Sequence, residues 1–156
     1  MHCLKHSQKL PLSVEESWSF FSDPKNLSIL TPSYLNFEMM FDGPVDRMYA
    51  GQIIGHLIRP LWNIRIGWIT EITHVQEPLY FIDEQRFGPY KFWHHEHRFH
   101  PIAHGVEMLD TIYYQLPLGI FGQALHAIKV KKDLAAIFAY RKTKLEELFG
   151  IYQDHH

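Results

Sequence analysis

At 156 residues, with 46% hydrophobic and 15% aromatic side chains, the chain is long enough for one domain with a sizeable core and too apolar for disorder. A formal net charge of −2 excludes the bulk positive field that draws nucleic acid. No apolar run approaches a membrane span, residues 1–10 lack the continuous apolar stretch of a secretory signal, and the single cysteine, Cys3, excludes an internal disulfide, so a cytoplasmic protein is expected.

Residues 2–10 alternate loosely and read as a first strand, ended by Pro11. Ser13-Val14-Glu15-Glu16 is a capping-box pattern, and the helix it opens turns Val14, Trp18 and Phe21 inward. Asp23-Pro24 starts a second short helix, which runs to about Leu30 and stops before Thr31-Pro32. From Leu35 onward the pattern is that of strands: residues 37–41, 51–58, 64–73, 79–87, 91–99 and 106–116. The turns between them are short and rich in Gly and Pro, so the strands should pair as an antiparallel meander. Residues 118–150 read as one long amphipathic helix, with Phe121, Leu125, Leu134, Phe138, Leu145, Leu148 and Phe149 at helical spacing and Gly150 as the C-terminal cap. The basic run Lys129-Val130-Lys131-Lys132 reads as its solvated side. Residues 1–150 form a single α+β domain in this reading, and 151–156 are a tail. A broad helix laid across a curved sheet leaves a gap, which is where a ligand is expected.

This order resembles the helix-grip fold of the START-like, or SRPBCC, superfamily, which is also described as Bet v 1-like. Its residues here are Trp18-x-x-Phe21-x-x-Pro24-x-Asn26-Leu27, Leu30-Thr31-Pro32, Trp68-x-x-x-Ile72, Phe81-x-Asp83-x-Gln85, Gly88-Pro89-Tyr90-x-x-Trp93-x-His95-x-His97-x-Phe99, and then Asp110, Tyr113 and Pro117. The resemblance implies a curved antiparallel sheet of about seven strands wrapped around the C-terminal helix. It also implies two short helices after strand one and a deep cavity for apolar small molecules. Within the superfamily the chain is similar to a ligand-binding subgroup. Some members of that subgroup occur joined to, or beside, a nucleotide-sugar-epimerase-like protein once described as a cell-division inhibitor. An epimerase-like partner therefore enters as an expectation.

Chemistry concentrates in residues 93–100. On a strand, Trp93, His95, His97 and Phe99 share one side, and His94, Glu96, Arg98 and His100 share the other. The first set should line the cavity. Its histidines are then either neutral and hydrogen-bonded to neighbouring strands, or they meet a polar group of a ligand. His-x-His also points two imidazoles one way, as in a metal site, but the Glu that a cupin places a few residues on is missing, since Pro101 and Ile102 stand there. No metal and no cofactor are expected, and no nucleophile or phosphate-loop motif is present.

Asp110 should stand opposite some residue between His95 and Arg98. An inward register pairs it with His95 or His97, whereas a slip of one residue puts it outside against Arg98 or Glu96. The inward register is favoured. The resemblance draws attention to Asp83 and Gln85, whose other reading is turn hydrogen bonding near Gly88-Pro89. The leading expectation is a non-enzymatic binder of a small, largely apolar molecule, held by Trp68, Asp83, Gln85, Trp93, His95, His97, Asp110, Tyr114 and Phe138. The alternatives are a cyclase- or dehydratase-type enzyme with His95, His97 and Asp110 as acid–base groups, and a module serving the epimerase-like partner.

Overall fold

The first helix begins where its capping box demands. Ser13 Oγ accepts the Glu16 N–H at 3.1 Å, and the Glu16 carboxylate accepts the Ser13 N–H at 2.8 Å. Two donors that the helix cannot satisfy internally are thereby satisfied. The computed structural model describes residues 1–41, 47–59, 64–117, 119, 124 and 129–153. Strand β1 (His2–Leu10) leads into α1 (Val14–Phe21), followed by the 3-10 turns Pro24–Leu27 and Ser33–Leu35. The strands β2 (Glu38–Phe41), β3 (Ile53–Ile58), β4 (Ile66–Gln76), β5 (Tyr80–Phe87), β6 (Phe92–Ile102) and β7 (Gly105–Gln115) come next, and α2 (Lys131–Phe149) closes the chain. No described helix is long and apolar enough to cross a membrane.

The second predicted helix is shorter than expected. Asp23 caps it by accepting the Lys25 N–H at 3.0 Å, but regular structure ends at Leu27. Thr31 Oγ1 then bonds the Leu27 carbonyl at 2.7 Å. This side-chain bond closes the segment back on the Leu27 carbonyl, so it turns instead of propagating. The long C-terminal helix is described from Lys131. Its end matches the prediction, since Gly150, at φ 90°, donates its N–H to the Glu146 carbonyl at 2.9 Å. A positive φ of this kind is strained for any residue with a Cβ. Most of the predicted first turns, residues 118–128, lie outside the described residues.

The seven strands form one antiparallel sheet in the order β1-β7-β6-β5-β4-β3-β2. Strands β2 to β7 are the expected meander, and β1 returns alongside β7 in an unbroken register from His2↔Tyr114 to Leu10↔Val106. Register shifts between β4 and β5, at Ile69/Thr70 and Ile72/His74, add the local bend and twist that bulges produce. One face of the sheet is charged and wet. On it Arg86 pairs with Glu71 and Glu84, and Arg98 with Glu96, in exposed contacts that contribute little to stability.

The other face packs against α1 and α2. Leu134, Phe138 and Leu145 form the buried stripe of α2. Leu145 joins a core with Leu10, Trp18, Phe21, Phe81, Phe99 and Met108. Leu134 and Phe138 join a second cluster with Trp93, Ile112 and Tyr114. The helix therefore pins two separate clusters and spans the space between them.

This arrangement predicts that Leu145→Ala, at a position with 0% exposure, lowers unfolding free energy by about 2–5 kcal/mol in urea titrations. Leu148, read from the sequence as part of the apolar face, is 46% exposed, so Leu148→Ala should change stability by less than about 0.5 kcal/mol.

Candidate functional site

The three strands β5, β6 and β7 are neighbours, and their registers decide which side chains meet. Asp83 stands opposite His95, and His97 stands opposite Asp110. Directly opposite residues share a face, so all four point inward. The inward register for Asp110 is the one the chain adopts, and Arg98 lies instead opposite Leu109.

The four groups form a closed square. His95 Nε2 lies 2.9 Å from Asp110 Oδ1, and His97 Nδ1 lies 3.0 Å from the same oxygen, the latter without the alignment of a hydrogen bond. On the opposite side, His97 Nε2 is 2.8 Å from Asp83 Oδ2 and His95 Nδ1 is 3.5 Å from it. The two rings lie 3.7 Å apart, centroid to centroid. Asp110 has 0% exposure and both histidines are buried. Asp83 keeps 15% of its side chain exposed.

Burial by itself would raise both carboxylate pKa values and lower both imidazole ones. In Asp110 burial is the largest influence, yet the His95 hydrogen bond, the close approach of His97 and the Arg141 charge hold the carboxyl well below the usual range. Asp83 is likewise held low against its burial by His95, His97 and a hydrogen bond from Trp93. His97 lies between two carboxylates that outweigh its burial, so its pKa rises. His95 is depressed by burial and then by its charged neighbour His97. The surroundings therefore favour a proton on His97 over one on His95.

Below this square lies a cavity of about 430 Å³, bounded by the sheet, α2 and the 3-10 turns. Asp83, His95 and His97 reach its wall, as do Trp68, Trp93 and Phe138. Asp110 does not line it; the carboxylate sits behind the imidazoles. Two further residues differ from expectation. Gln85 is not on the wall, because its amide donates to the Tyr90 carbonyl at 2.7 Å and accepts the Tyr90 N–H at 3.2 Å, bracing the turn. A Cβ on Gly88 would collide with this amide, which is why glycine suits the turn. Tyr114 packs behind Tyr90 and Trp93, at centroid distances of 5.9 and 6.2 Å, and is core.

Two polar wall residues were not anticipated. His56, on β3, is buried with its Nδ1 unpartnered, its ring packed on Phe37 and stacked on Trp68. Arg141, on α2, has a buried and unpartnered Nε and lies over the Phe138 ring at 5.2 Å. Both were marked by periodicity. Ile54-x-His56-x-Ile58 alternates at strand spacing, and Arg141 falls between Phe138 and Leu145 on the buried stripe of α2.

No family model matches the chain, and no curated protein matches it in sequence. Solved structures do match. CV1439 from Chromobacterium violaceum superposes with a TM-score of 0.72 at 11% identity, over 96% of this chain and 98% of that one. TTHA0849 from Thermus thermophilus gives 0.66 at 18% identity, over 94% and 99%. Ara h 8.0201 gives 0.62 at 10% identity, over 94% and 98%. The fold is the Bet v 1-like helix grip, a seven-stranded open antiparallel sheet with a long C-terminal helix and a short helix after strand one.

His56 makes the pH dependence testable. Desolvation pushes its pKa from 6.5 down to about 4. Between these values the unfolded chain binds the proton and the folded one does not, so stability is lost as pH falls through this window. The loss from this group should be on the order of 3 kcal/mol. His56→Phe, which keeps a ring between Phe37 and Trp68, should show a flatter stability profile from pH 6.5 to 4. Urea midpoints of both proteins across that range would check it.

Proposed function

We propose that the chain binds a small, largely apolar molecule in the cavity between sheet and helix, with His95, His97 and Asp83 meeting the one polar group of the guest. The observation that carries this reading is the character of the wall. It is apolar and aromatic over most of its extent, with Trp68, Trp93, Ile72, Leu134 and Phe138, and a few polar side chains, Asp83, His95 and His97 among them, are set into it. Its volume falls in the range of small-molecule sites, in which few polar groups fix orientation and apolar surface supplies affinity. The resemblance of residues 88–99 to the ligand-binding subgroup of the superfamily supports the same assignment, and a cytoplasmic location accords with it.

An acid–base enzyme of the cyclase or dehydratase type has one observation in its favour. Burial lowers the pKa of His95, which directs Nε2 at Asp110 and leaves Nδ1 on the side of Asp83. A neutral imidazole oriented by a carboxylate is the form a general base takes. Against it, both carboxylates are already engaged by imidazoles, so the groups stabilise one another before any substrate enters.

Folded protein should bind an anilinonaphthalene dye that medium-chain alcohols and ketones displace, with the near-ultraviolet circular dichroism of the native state retained. Ile66→Trp, on the wall in β4, should weaken dye binding about tenfold by filling the space, an estimate for the steric loss of apolar contact. Dye that binds equally to both proteins, or none that binds to the folded wild type, would remove the reading.

A further inference from the structure

We infer that Asp83, His95 and His97 form a site for a divalent transition-metal ion, with Asp110 as the carboxylate that positions both rings. The inference goes beyond the apolar guest, since the cavity can hold such a molecule with or without an ion. It starts from a mismatch of donors and acceptors. Four nitrogen–oxygen approaches, of 2.8, 2.9, 3.0 and 3.5 Å, join two imidazoles to two carboxylates. Unless both rings, only 3.7 Å apart, were charged together, they bring at most three N–H groups to these four approaches. At least one nitrogen lone pair then faces a carboxylate oxygen unless a cation stands between them.

The geometry points to where that cation belongs. Asp110 Oδ1 faces His95 Nε2 and His97 Nδ1. His95 Nε2 already bonds Asp110, and were His97 to turn its unpartnered Nδ1–H onto the same oxygen, the remaining lone pairs, on His95 Nδ1 and His97 Nε2, would converge on Asp83 Oδ2. One donor atom from each of Asp83, His95 and His97 lies within 4.8 Å of the others. Tetrahedral bonds of about 2.0–2.1 Å place ligand atoms roughly 3.4 Å apart, so shifts of tenths of an ångström to about an ångström would seat an ion. Metal-bound histidines characteristically donate their other N–H to a carboxylate, the role that Asp110 fills from behind. Two imidazoles and one carboxylate suit zinc or iron(II) rather than calcium or magnesium. All three ligands reach the cavity wall and Asp110 does not, so the open coordination position faces the guest.

Tag-free protein titrated with Co²⁺ tests the site. The wild type should take up one equivalent and develop ligand-field absorption in the visible, which Zn²⁺ displaces. His97→Ala and Asp83→Ala should lose that spectrum, whereas the surface pair His74→Ala/His100→Ala should keep it. Asp110→Asn should weaken Co²⁺ about 10–100-fold and move the bands, because it alters the basicity of both rings. Leu145→Ala, a core change remote from the ligands, should leave band positions unchanged. X-ray absorption of the loaded wild type, which needs no variant to fold, should show two imidazoles. No saturable Co²⁺, a spectrum that survives His97→Ala, or a metal shell without imidazole would overturn the inference. Dye binding repeated after EDTA treatment keeps the two readings separate: it persists if only the ion is wrongly assigned.

Discussion

Two carboxylates and two imidazoles share the apolar interior, and none could remain ionised there alone. Removing a single ion from water costs several kcal/mol even after the protein relaxes. Asp110, with no exposure at all, remains a carboxylate only because His95 and His97 both turn a nitrogen toward it. Asp83 does the same from the opposite side. The consequence is mutual: shifting β5, β6 or β7 by one residue would turn its own members of the square to the other face and take a partner from those left behind. The square therefore selects one register among β5, β6 and β7 as firmly as the hydrophobic alternation does.

That constraint sits inside a fold whose other demands are apolar. The meander brings Phe81, Phe99, Met108 and Ile112 to one face, and α2 covers them through Leu134, Phe138 and Leu145. The helix anchors at two clusters rather than along a continuous seam. Aromatic side chains hold the strands and helix apart between these anchors, with Trp68, Tyr90 and Trp93 packed against one another at centroid distances from 4.7 to 5.5 Å. Large rigid rings that satisfy each other edge to face do not collapse into the remaining space. A hollow of this kind is compatible with a stable domain because the core at the Leu145 end is closely filled.

Much of the architecture was legible from local rules. The capping box at Ser13, the alternation of β6 and the glycine after Phe149 each act within a few residues, so they survive translation into structure unchanged. The second helix ends at Leu27, short of the expected Leu30, where the Thr31 hydroxyl closes on the Leu27 carbonyl. Of the two readings open for Gln85, the wall position suggested by the resemblance and turn hydrogen bonding near Gly88-Pro89, the structure adopts the second. Tyr114 alternates correctly yet lies behind two other rings. His56 and Arg141 were visible as polar residues at core spacing and gained meaning only when β3 and α2 were laid beside the same cavity.

By itself, the sequence determined most of the elements and the apolar face of those strands that alternate cleanly, because both follow from backbone periodicity and from short-range hydrogen bonding, whereas residues 80–87 carry mixed side chains on both faces. It also determined that two histidines would share a side with Trp93 and Phe99. Only the tertiary structure decided that Asp83 approaches them from one strand and Asp110 from the other, each opposite a different imidazole. Strand pairing across a hairpin depends on turn geometry and bulges whose effect accumulates over many residues, and one step of register separates a buried square from a solvated ion pair.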